Sequence, residues 1–380
     1  MYFDNAATTV VKPTQVAEAM FKVISSQKYG GNPSRGSHEY AINSLSIVNK
    51  CRQNIKKLFG LREEDEVVFT ANATEALNIA IKGTLSEGDH VLATELDHNS
   101  VLRPIYQLEK IGVEHDFVGL KDGVLDYEQL EEKVKSNTKV LVCTHASNVT
   151  GELLDIKLLS DFCKKHKLTF ILDASQTAGV IPINMLEQDI DILCFTGHKS
   201  LYGPQGIGGL CFKEGITIDP LITGGSGIDS FNHSQPNVYP EKLEAGTLNV
   251  VGIAGLNEGI EYILNKGIED IRKIVATNVN RFIDALEQMD NVILYTQRKR
   301  PVAGVVSLNI GNIDSETISD VLVEDFDIAI RPGAHCAPLV HKALGTEKQG
   351  IVRFSFSSFN TIEEVDFAIN AIKTIVTEVD

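Results

Sequence analysis

Short apolar segments alternate with amphipathic stretches through the first two thirds of the chain. Each apolar segment ends in polar residues, as the strands of a buried sheet do, and the stretches between them have helical spacing. The pattern predicts strands at residues 66–70, 90–94, 140–144, 168–173 and 190–195, and helices at residues 74–82, 127–135 and 156–166. This alternation favours an α/β fold with a largely parallel sheet covered by helices.

The pattern changes from residue 249 onwards. Two helical stretches extend to residue 289, and Thr361 is placed to cap a last helix at residues 363–377. Between them the sequence predicts a helix from Ser315 and strands at residues 292–295, 305–310, 328–330 and 351–356. This part of the chain is therefore typical of an α+β unit.

Length and composition indicate a chain with more than one core. With 380 residues, 43% hydrophobic and 23% charged, it fits a globular protein of two domains. We expect a large domain at residues 13–260 and a smaller domain made of residues 1–12 and 261–380. The segment before Pro13 is expected to pack near the active site or against the smaller domain.

Charge and cysteine usage exclude several classes of function. The net charge of −16 argues against nucleic acid, whose phosphates such a surface repels. No apolar run approaches the roughly 20 residues of a membrane span, and no secretory signal is visible. The six cysteines are scattered without a C-x-x-C pair, which is typical of a reducing compartment. We therefore expect a cytoplasmic protein with neither a nucleic-acid nor a membrane partner.

Ligands of open parallel sheets bind beyond the carboxyl ends of the strands. Two such ends carry ionisable groups suited to one cofactor. Asp173 ends the strand at 168–173, and Lys199 follows the strand at 190–195, which is 199 − 173 = 26 residues later. A buried lysine has a lowered pKa and can form a Schiff base, and a buried carboxylate can hold a protonated pyridine nitrogen. The pair suits pyridoxal phosphate, although a surface lysine and a loop-capping Asp remain alternatives.

A phosphate group needs hydrogen-bond donors close to that pair. Ala73 and Thr74 begin a predicted helix, whose first N–H groups and dipole favour an anion. Thr196 and His198 add further donors, and His98 is placed to stack on the cofactor ring. The alternatives are a plain N-cap at Thr74 and a surface histidine at position 98.

The segment GPQGIGG (203–209) superficially resembles a dinucleotide-binding loop. An apolar strand-like run follows it instead of the helix that such a motif requires, so we reject a nicotinamide cofactor.

The segment RPGAHCAP (331–338) is a stiff loop that contains a cysteine. His335 and Arg331 lie close to Cys336 in sequence and are cations that favour a thiolate. An inert cysteine and a zinc site with His341 are alternatives, but zinc needs a fourth ligand and no companion pair is visible, so we expect no metal. Arg353 lies inside an apolar strand, where its fork suits either a substrate carboxylate or an internal ion pair.

Together these motifs resemble the pyridoxal-phosphate-dependent cysteine desulfurase and selenocysteine lyase family of the class V aminotransferase superfamily. TGHK (196–199) with DASQ (173–176) is specific to the superfamily, and R-x-G-x-H-C-A (331–337) to the branch whose active cysteine lies on a short loop. The resemblance covers nearly the full length and includes DNAATT (4–9), NATEALN (72–78), DHNSV (97–101), SNVTG (147–151), AGTLN (245–249) and VRFSFSSFNT (352–361). One departure is EKLE (241–244), which replaces an arginine often found ahead of AGT.

The resemblance implies the fold and the site. The fold is the aspartate-aminotransferase-like fold of PLP-dependent transferases, with a mostly parallel seven-stranded sheet and a smaller α+β C-terminal domain. Lys199 would bind the cofactor aldehyde, Cys336 would accept sulfur, and Arg353 would hold the substrate carboxylate, with Asn32 at the substrate mouth. The implied cofactor contacts are Ala73, Thr74, His98, Asn148, Asp173, Gln176, Thr196, His198 and, from a second subunit, Thr247.

The resemblance also implies a reaction and its partners. L-cysteine would become L-alanine, with its sulfur held as a persulfide on Cys336 and passed to an acceptor protein or a small thiol. The contribution of Thr247 implies a homodimer. The alternatives are a selenocysteine lyase acting on L-selenocysteine, another class V lyase or aminotransferase in which Cys336 is incidental, and a non-catalytic scaffold for sulfur transfer.

Overall fold

The computed structural model describes residues 1–33 and 36–379. Its helices are α1 (Thr14–Ser25), α2 (Glu39–Phe59), α3 (Ala73–Thr84), α4 (Asn99–Glu109), α5 (Gln129–Lys133), α6 (Ile156–His166), α7 (Val250–Lys266), α8 (Ile268–Leu286), α9 (Ser315–Phe326), α10 (Pro338–Leu344) and α11 (Ile362–Val379). Its strands are β1 (Glu66–Thr70), β2 (His90–Thr94), β3 (Glu114–Val118), β4 (Leu120–Lys121), β5 (Val124–Leu125), β6 (Thr138–Thr144), β7 (Thr169–Asp173), β8 (Ile192–Thr196), β9 (Gly208–Phe212), β10 (Val292–Leu294), β11 (Val305–Ile310) and β12 (Val352–Ser355).

The main element is a seven-stranded sheet with the order β1-β9-β8-β7-β6-β2-β3. Only β9 runs antiparallel to its neighbours, so the predicted largely parallel sheet is confirmed. The apolar run after GPQGIGG is this strand, as expected. Gly208 in β9 is required by close packing, because a Cβ there would lie 2.8 Å from the backbone of Asn72 and from the Phe195 oxygen. This contact fixes the start of α3 beside the end of β8.

A second sheet of three antiparallel strands, β10-β11-β12, lies in the C-terminal part of the chain. Helices α8 and α9 contact it, and α11 packs on α8. The N-terminal residues join this unit, because the Ser355 N–H donates to the Phe3 oxygen at 2.6 Å. One apolar core contains Phe195 of the large sheet and Phe354 of the small one, so the two sheets are packed together.

Two predicted elements differ from the structure. Residues 328–330 form no strand, because Ala329 pairs only with Tyr2 in a single bridge. The helix predicted at 127–135 is shorter (α5), because the Lys135 N–H donates to the Thr138 hydroxyl at 2.7 Å instead of to a helix carbonyl.

The bounds of the other predicted helices and strands agree closely with the structure. The two helical stretches predicted up to residue 289 are α7 and α8, which are separated at Gly267, whose φ is +86°. The division at residue 260 stays a prediction. No helix within residues 1–33 and 36–379 is both long and apolar enough to cross a bilayer.

Candidate active site

A pocket with an empty volume of about 760 Å³ lies at the carboxyl ends of the central strands. It is bounded by the large sheet on one side and by the small sheet on the other. Ten of the residues predicted from the sequence line it together: Ala73, Thr74, His98, Asn148, Asp173, Gln176, Thr196, His198, Lys199 and Arg353. The strand-end rule therefore selected residues that the structure brings together in one pocket.

Lys199 lies three residues beyond the end of β8, at the floor of this pocket. Burial lowers its pKa to about 8, and the positive charges of Arg353 and Arg331 act in the same direction, while Asp173 opposes them. An amine with such a pKa has a substantial neutral fraction near physiological pH. The Lys199 amine can therefore act as a nucleophile or as a base.

Asp173 is the last residue of β7 and is only 4% exposed. Its Oδ1 accepts hydrogen bonds from the backbone N–H of Ser175, at 2.9 Å, and from the Ser175 hydroxyl. Its Oδ2 has no partner among the described residues, so one oxygen is left for a donor in the pocket. Burial raises the pKa of this carboxyl, against the effect of Ser175 and Lys199, and a cationic ligand would compensate for that burial.

The start of α3 and the end of β8 form a cradle of donors. Asn72 caps α3 by accepting from the Glu75 N–H at 3.0 Å, which leaves the first N–H groups, at Ala73 and Thr74, free to bind an anion. The Thr196 hydroxyl is buried and has no partner within residues 1–33 and 36–379. A buried hydroxyl without a partner is costly, so this cradle fits a phosphate group.

Two histidines of the pocket are neutral at physiological pH. Burial, together with the positive charge of Lys199, lowers the pKa of His98 and of His198 to about 4 each. The His98 Nδ1 accepts from the Ser100 N–H at 3.0 Å and thereby caps α4, while the His198 Nδ1 lies 3.0 Å from the Thr8 hydroxyl. Both rings are thus oriented by local contacts, and that of His98 is available for stacking.

Asn148 and Gln176 connect the pocket to other parts of the chain. The Asn148 Nδ2 donates to the His335 carbonyl at 2.8 Å, and its Oδ1 is buried without a partner among the described residues. The Gln176 Nε2 donates to the Ala6 carbonyl at 3.3 Å, which brings the N-terminal segment into the pocket wall. The expectation that this segment packs near the site is therefore correct.

The opposite wall carries two arginines. Arg353 is 1% exposed, and its Nη2 forms an ion pair with Asp4 at 2.8 Å while its Nη1 donates to the Asn148 carbonyl at 3.1 Å. Its Nε is buried without a described partner. Arg331 pairs with Arg353 through the backbone and lines the same pocket, and its guanidinium makes no hydrogen bond or ion pair with any described residue. The internal ion pair that the sequence left open for Arg353 is therefore present, and the Nε of the same side chain has no partner among the described residues.

Cys336 lies on the loop between α9 and α10, two residues before α10 begins, and is exposed, whereas the other five cysteines are buried. It does not line the pocket itself, but its neighbour His335 does. Both residues have left-handed backbones, with φ of 49° for His335 and 58° for Cys336. Such a conformation costs a non-glycine residue about 1–2 kcal/mol, so the surrounding contacts must hold it.

Asn32 and Thr247 do not line this pocket, and their roles at the substrate mouth and on a second subunit stay predictions. The Asn32 Nδ2 donates to the Thr247 hydroxyl at 3.2 Å, so the two segments contact each other. Glu244 belongs to EKLE (241–244), the segment that replaces the arginine often found ahead of AGT. Its side chain is buried, and its carboxylate accepts from the Arg52 guanidinium at 2.6 Å and from the Phe69 N–H at 2.7 Å. This carboxylate anchors its segment within the same chain.

Among the described residues, no group of three or more His, Cys, Asp or Glu side chains is arranged to hold a metal ion. Two features of the pocket were not predicted from the sequence: the ion pair of Asp4 with Arg353, and the place of Arg331 in the pocket wall. The motifs DNAATT and RPGAHCAP contain them, but only the pairing of distant segments shows what they contact.

Comparisons with known proteins agree with this geometry. The family described as Aminotransferase class-V matches residues 1–367. A "Probable cysteine desulfurase" of Pyrococcus abyssi is 31% identical over 99% of this chain and 94% of its own, and a "Cysteine desulfurase IscS" of Photobacterium profundum is 29% identical over 99% and 92%. The apo structure of a cysteine desulfurase from Thermococcus onnurineus NA1 superposes with a TM-score of 0.90 at 33% identity, covering 100% of this chain and 95% of that one. The cysteine desulfurase CsdA from Escherichia coli gives 0.87 at 26%, covering 100% and 94%. The chain therefore belongs to the class-V aminotransferase family.

Proposed function

We propose that this enzyme is a pyridoxal-phosphate-dependent cysteine desulfurase that converts L-cysteine to L-alanine and retains the sulfur on Cys336. The observation that carries the proposal is the pocket that combines Lys199 and Asp173 at strand ends with the wall formed by the loop of Cys336. The relatives that bear the name cysteine desulfurase support it.

The residues present fit the cofactor. Its phosphate would be held by the N–H groups of Ala73 and Thr74, the vacant Thr196 hydroxyl and His198. Asp173 would face the pyridine nitrogen, His98 the ring, and Lys199 the aldehyde, while Asn148 and Gln176 would contact the ring hydroxyl and the substrate. Bound there, the protonated ring supplies an electron sink for the charge that develops when the substrate Cα loses its proton.

The remaining steps belong to the side chains of the protein. The lowered pKa of Lys199 provides a neutral amine that removes the Cα proton. The vacant Nε of Arg353 and the guanidinium of Arg331 would hold the substrate carboxylate.

Sulfur transfer then proceeds at Cys336. Its thiolate attacks the substrate sulfur, so that an S–S bond forms while the substrate Cβ–S bond breaks and its electron pair stays on the carbon. Protonation of the carbon skeleton gives alanine, and Cys336 is left as a persulfide. Because Cys336 is exposed, an acceptor protein or a small thiol can reach this sulfur. We also propose that the enzyme acts as a homodimer in which Thr247 reaches the partner's cofactor.

The decisive experiment measures alanine release from L-cysteine and from L-selenocysteine by the wild type and by Cys336→Ala. We expect Cys336→Ala to keep the yellow cofactor but to release no alanine from L-cysteine. Full activity of the variant on L-cysteine would refute the persulfide step, and activity on selenocysteine alone would indicate a selenocysteine lyase. Formation of α-keto acid without sulfide would indicate an aminotransferase, and a colourless protein a non-catalytic scaffold.

A further inference from the structure

The loop that contains Cys336 is held at two successive carbonyl groups. The His335 carbonyl accepts from the Asn148 Nδ2 at 2.8 Å, and the Cys336 carbonyl accepts from the Asn99 N–H at 2.8 Å. Asn99 begins α4 and Asn148 follows β6, so both donors belong to the large-sheet side of the pocket. These bonds act on the two residues whose backbones are left-handed.

The small-sheet side holds the same loop through the ring of His335. Its Nε2 lies 3.0 Å from the Ile351 carbonyl, which can only accept, so Nε2 carries the proton. Burial lowers the pKa of this imidazole to about 2, so the ring is neutral. The loop is therefore clamped between the two walls of the pocket.

Asn148 is the contact that also belongs to the pocket. It is 6% exposed, lines the pocket, and receives the Arg353 Nη1 at its backbone carbonyl. It donates to the His335 carbonyl through its side chain, whereas Asn99 donates to the Cys336 carbonyl through its backbone. Its unpartnered Oδ1 remains available to a ligand. The same residue thus contacts the proposed carboxylate-binding arginine, the pocket and the cysteine loop.

We propose that Asn148 is a positioning residue that holds the Cys336 loop in its left-handed conformation and so places the thiol for attack on the substrate sulfur. This proposal rests on the proposed function, in which Cys336 accepts sulfur. Attack requires the two sulfurs to be within near-attack distance, and a displacement of 1 Å can cost about 100-fold in rate. Without the Asn148 bond, only the bonds of the Cys336 carbonyl and of the His335 ring remain, so His335 and Cys336 leave the left-handed region more often and the thiol moves with them.

The test uses the holoenzyme and two substitutions. Asn148→Asp keeps the shape but removes the donor, and Asn148→Ala removes the side chain. The matched control is Asn278→Asp on α8, because Asn278 is 2% exposed and its Nδ2 likewise donates to a backbone carbonyl, that of Asn360 at 2.9 Å. Three quantities are measured: amide hydrogen exchange in residues 331–337 by mass spectrometry, the rate at which L-cysteine adds a sulfur mass to Cys336, and exchange of the α-proton of L-alanine in D₂O.

In both Asn148 variants we expect loop amides to exchange at least about tenfold faster and persulfide formation to slow about 100-fold. The α-proton exchange should slow less than persulfide formation, because it loses the contact of Asn148 with the cofactor but does not need Cys336. Asn278→Asp should leave all three quantities close to wild type. Unchanged loop exchange in both variants would overturn the proposal, as would an equal loss of α-proton exchange and persulfide formation. If the wild-type enzyme forms no persulfide on Cys336, the proposed function is refuted. If the loop amides of the variants still exchange faster in that case, Asn148 nevertheless stabilises the loop.

Discussion

The two walls of the pocket present their side chains in different ways. The large-sheet wall uses residues at or just after the ends of regular strands, such as Asp173 and Lys199, whose positions follow from the sheet. The small-sheet wall uses Arg353 on a short strand and Cys336 on a loop with left-handed backbones. Backbone ladders place the residues of the first wall, whereas the second wall depends in addition on individual side-chain bonds, such as those of Asp4 and Asn148. Single substitutions should therefore affect the second wall more variably.

The largest stability effect is expected at Arg353. Arg353→Met leaves the Asp4 carboxylate without its cation and should cost about 3 kcal/mol, the lower end for buried pairs, because Asp4 is 20% exposed. Urea unfolding measures the loss, and Asp4→Asn in the same chain should restore part of it.

Arg331→Met is the matched comparison, because the Arg331 guanidinium makes no hydrogen bond or ion pair within the described part of the chain. Its stability should change by about 0.5 kcal/mol or less, whereas the KM for L-cysteine should rise. Equal losses of stability in the two variants would contradict the assigned ion pair.

A smaller effect is expected from the charge of Lys199 in the cofactor-free protein. Its pKa is about 8 in the folded state against 10.5 for an unperturbed lysine, so the unfolded chain binds more protons between these pH values. Stability should therefore rise as the pH increases from 8 to 10.5. Lys199→Met should be more stable than wild type at pH 7 by about 2 kcal/mol, discounted because the amine faces an open pocket, and the difference should vanish towards pH 10.5.

Thermal or urea unfolding at several pH values provides this measurement. Lys164→Met is the control, since Lys164 lies on the surface in a pair with Asp189 at 2.8 Å and should contribute about 0.5 kcal/mol or less. A stability difference for Lys199→Met that is the same at pH 7 and pH 10 would show that burial of the charge is not its cause.

The smallest effect concerns the backbone of the cysteine loop. Cys336→Gly should be more stable than Cys336→Ala by about 1 kcal/mol, because glycine adopts a φ of 58° without steric cost. Ala334→Gly, two residues away and without a positive φ, should instead lose stability. If glycine is no better than alanine at position 336, the left-handed conformation is absent in solution.

Much of the large-sheet wall was predictable from the sequence. Asp173 and Thr196 stand at the ends of continuous apolar runs, and parallel strands bring such ends to one edge of a sheet. Residues 328–330 were predicted as a strand wrongly, because their apolar character reflects burial beside the N-terminal segment and not ladder pairing. The helix at 127–135 was predicted too long because side-chain bonds in turns, here that of Thr138, leave little trace in hydrophobic periodicity.

By itself, the sequence determined the type of sheet, the placing of Lys199 and Asp173 together at its edge, and a cysteine on a stiff loop. These follow from local patterns, because strand period, helix starts and residue chemistry are local properties. Only the tertiary structure decided that Asp4 neutralises Arg353, that Arg331 stands beside it, and that Asn148 holds the cysteine loop. These contacts join residues up to 349 positions apart, and their partners are selected by how the two sheets pack, which no local pattern contains.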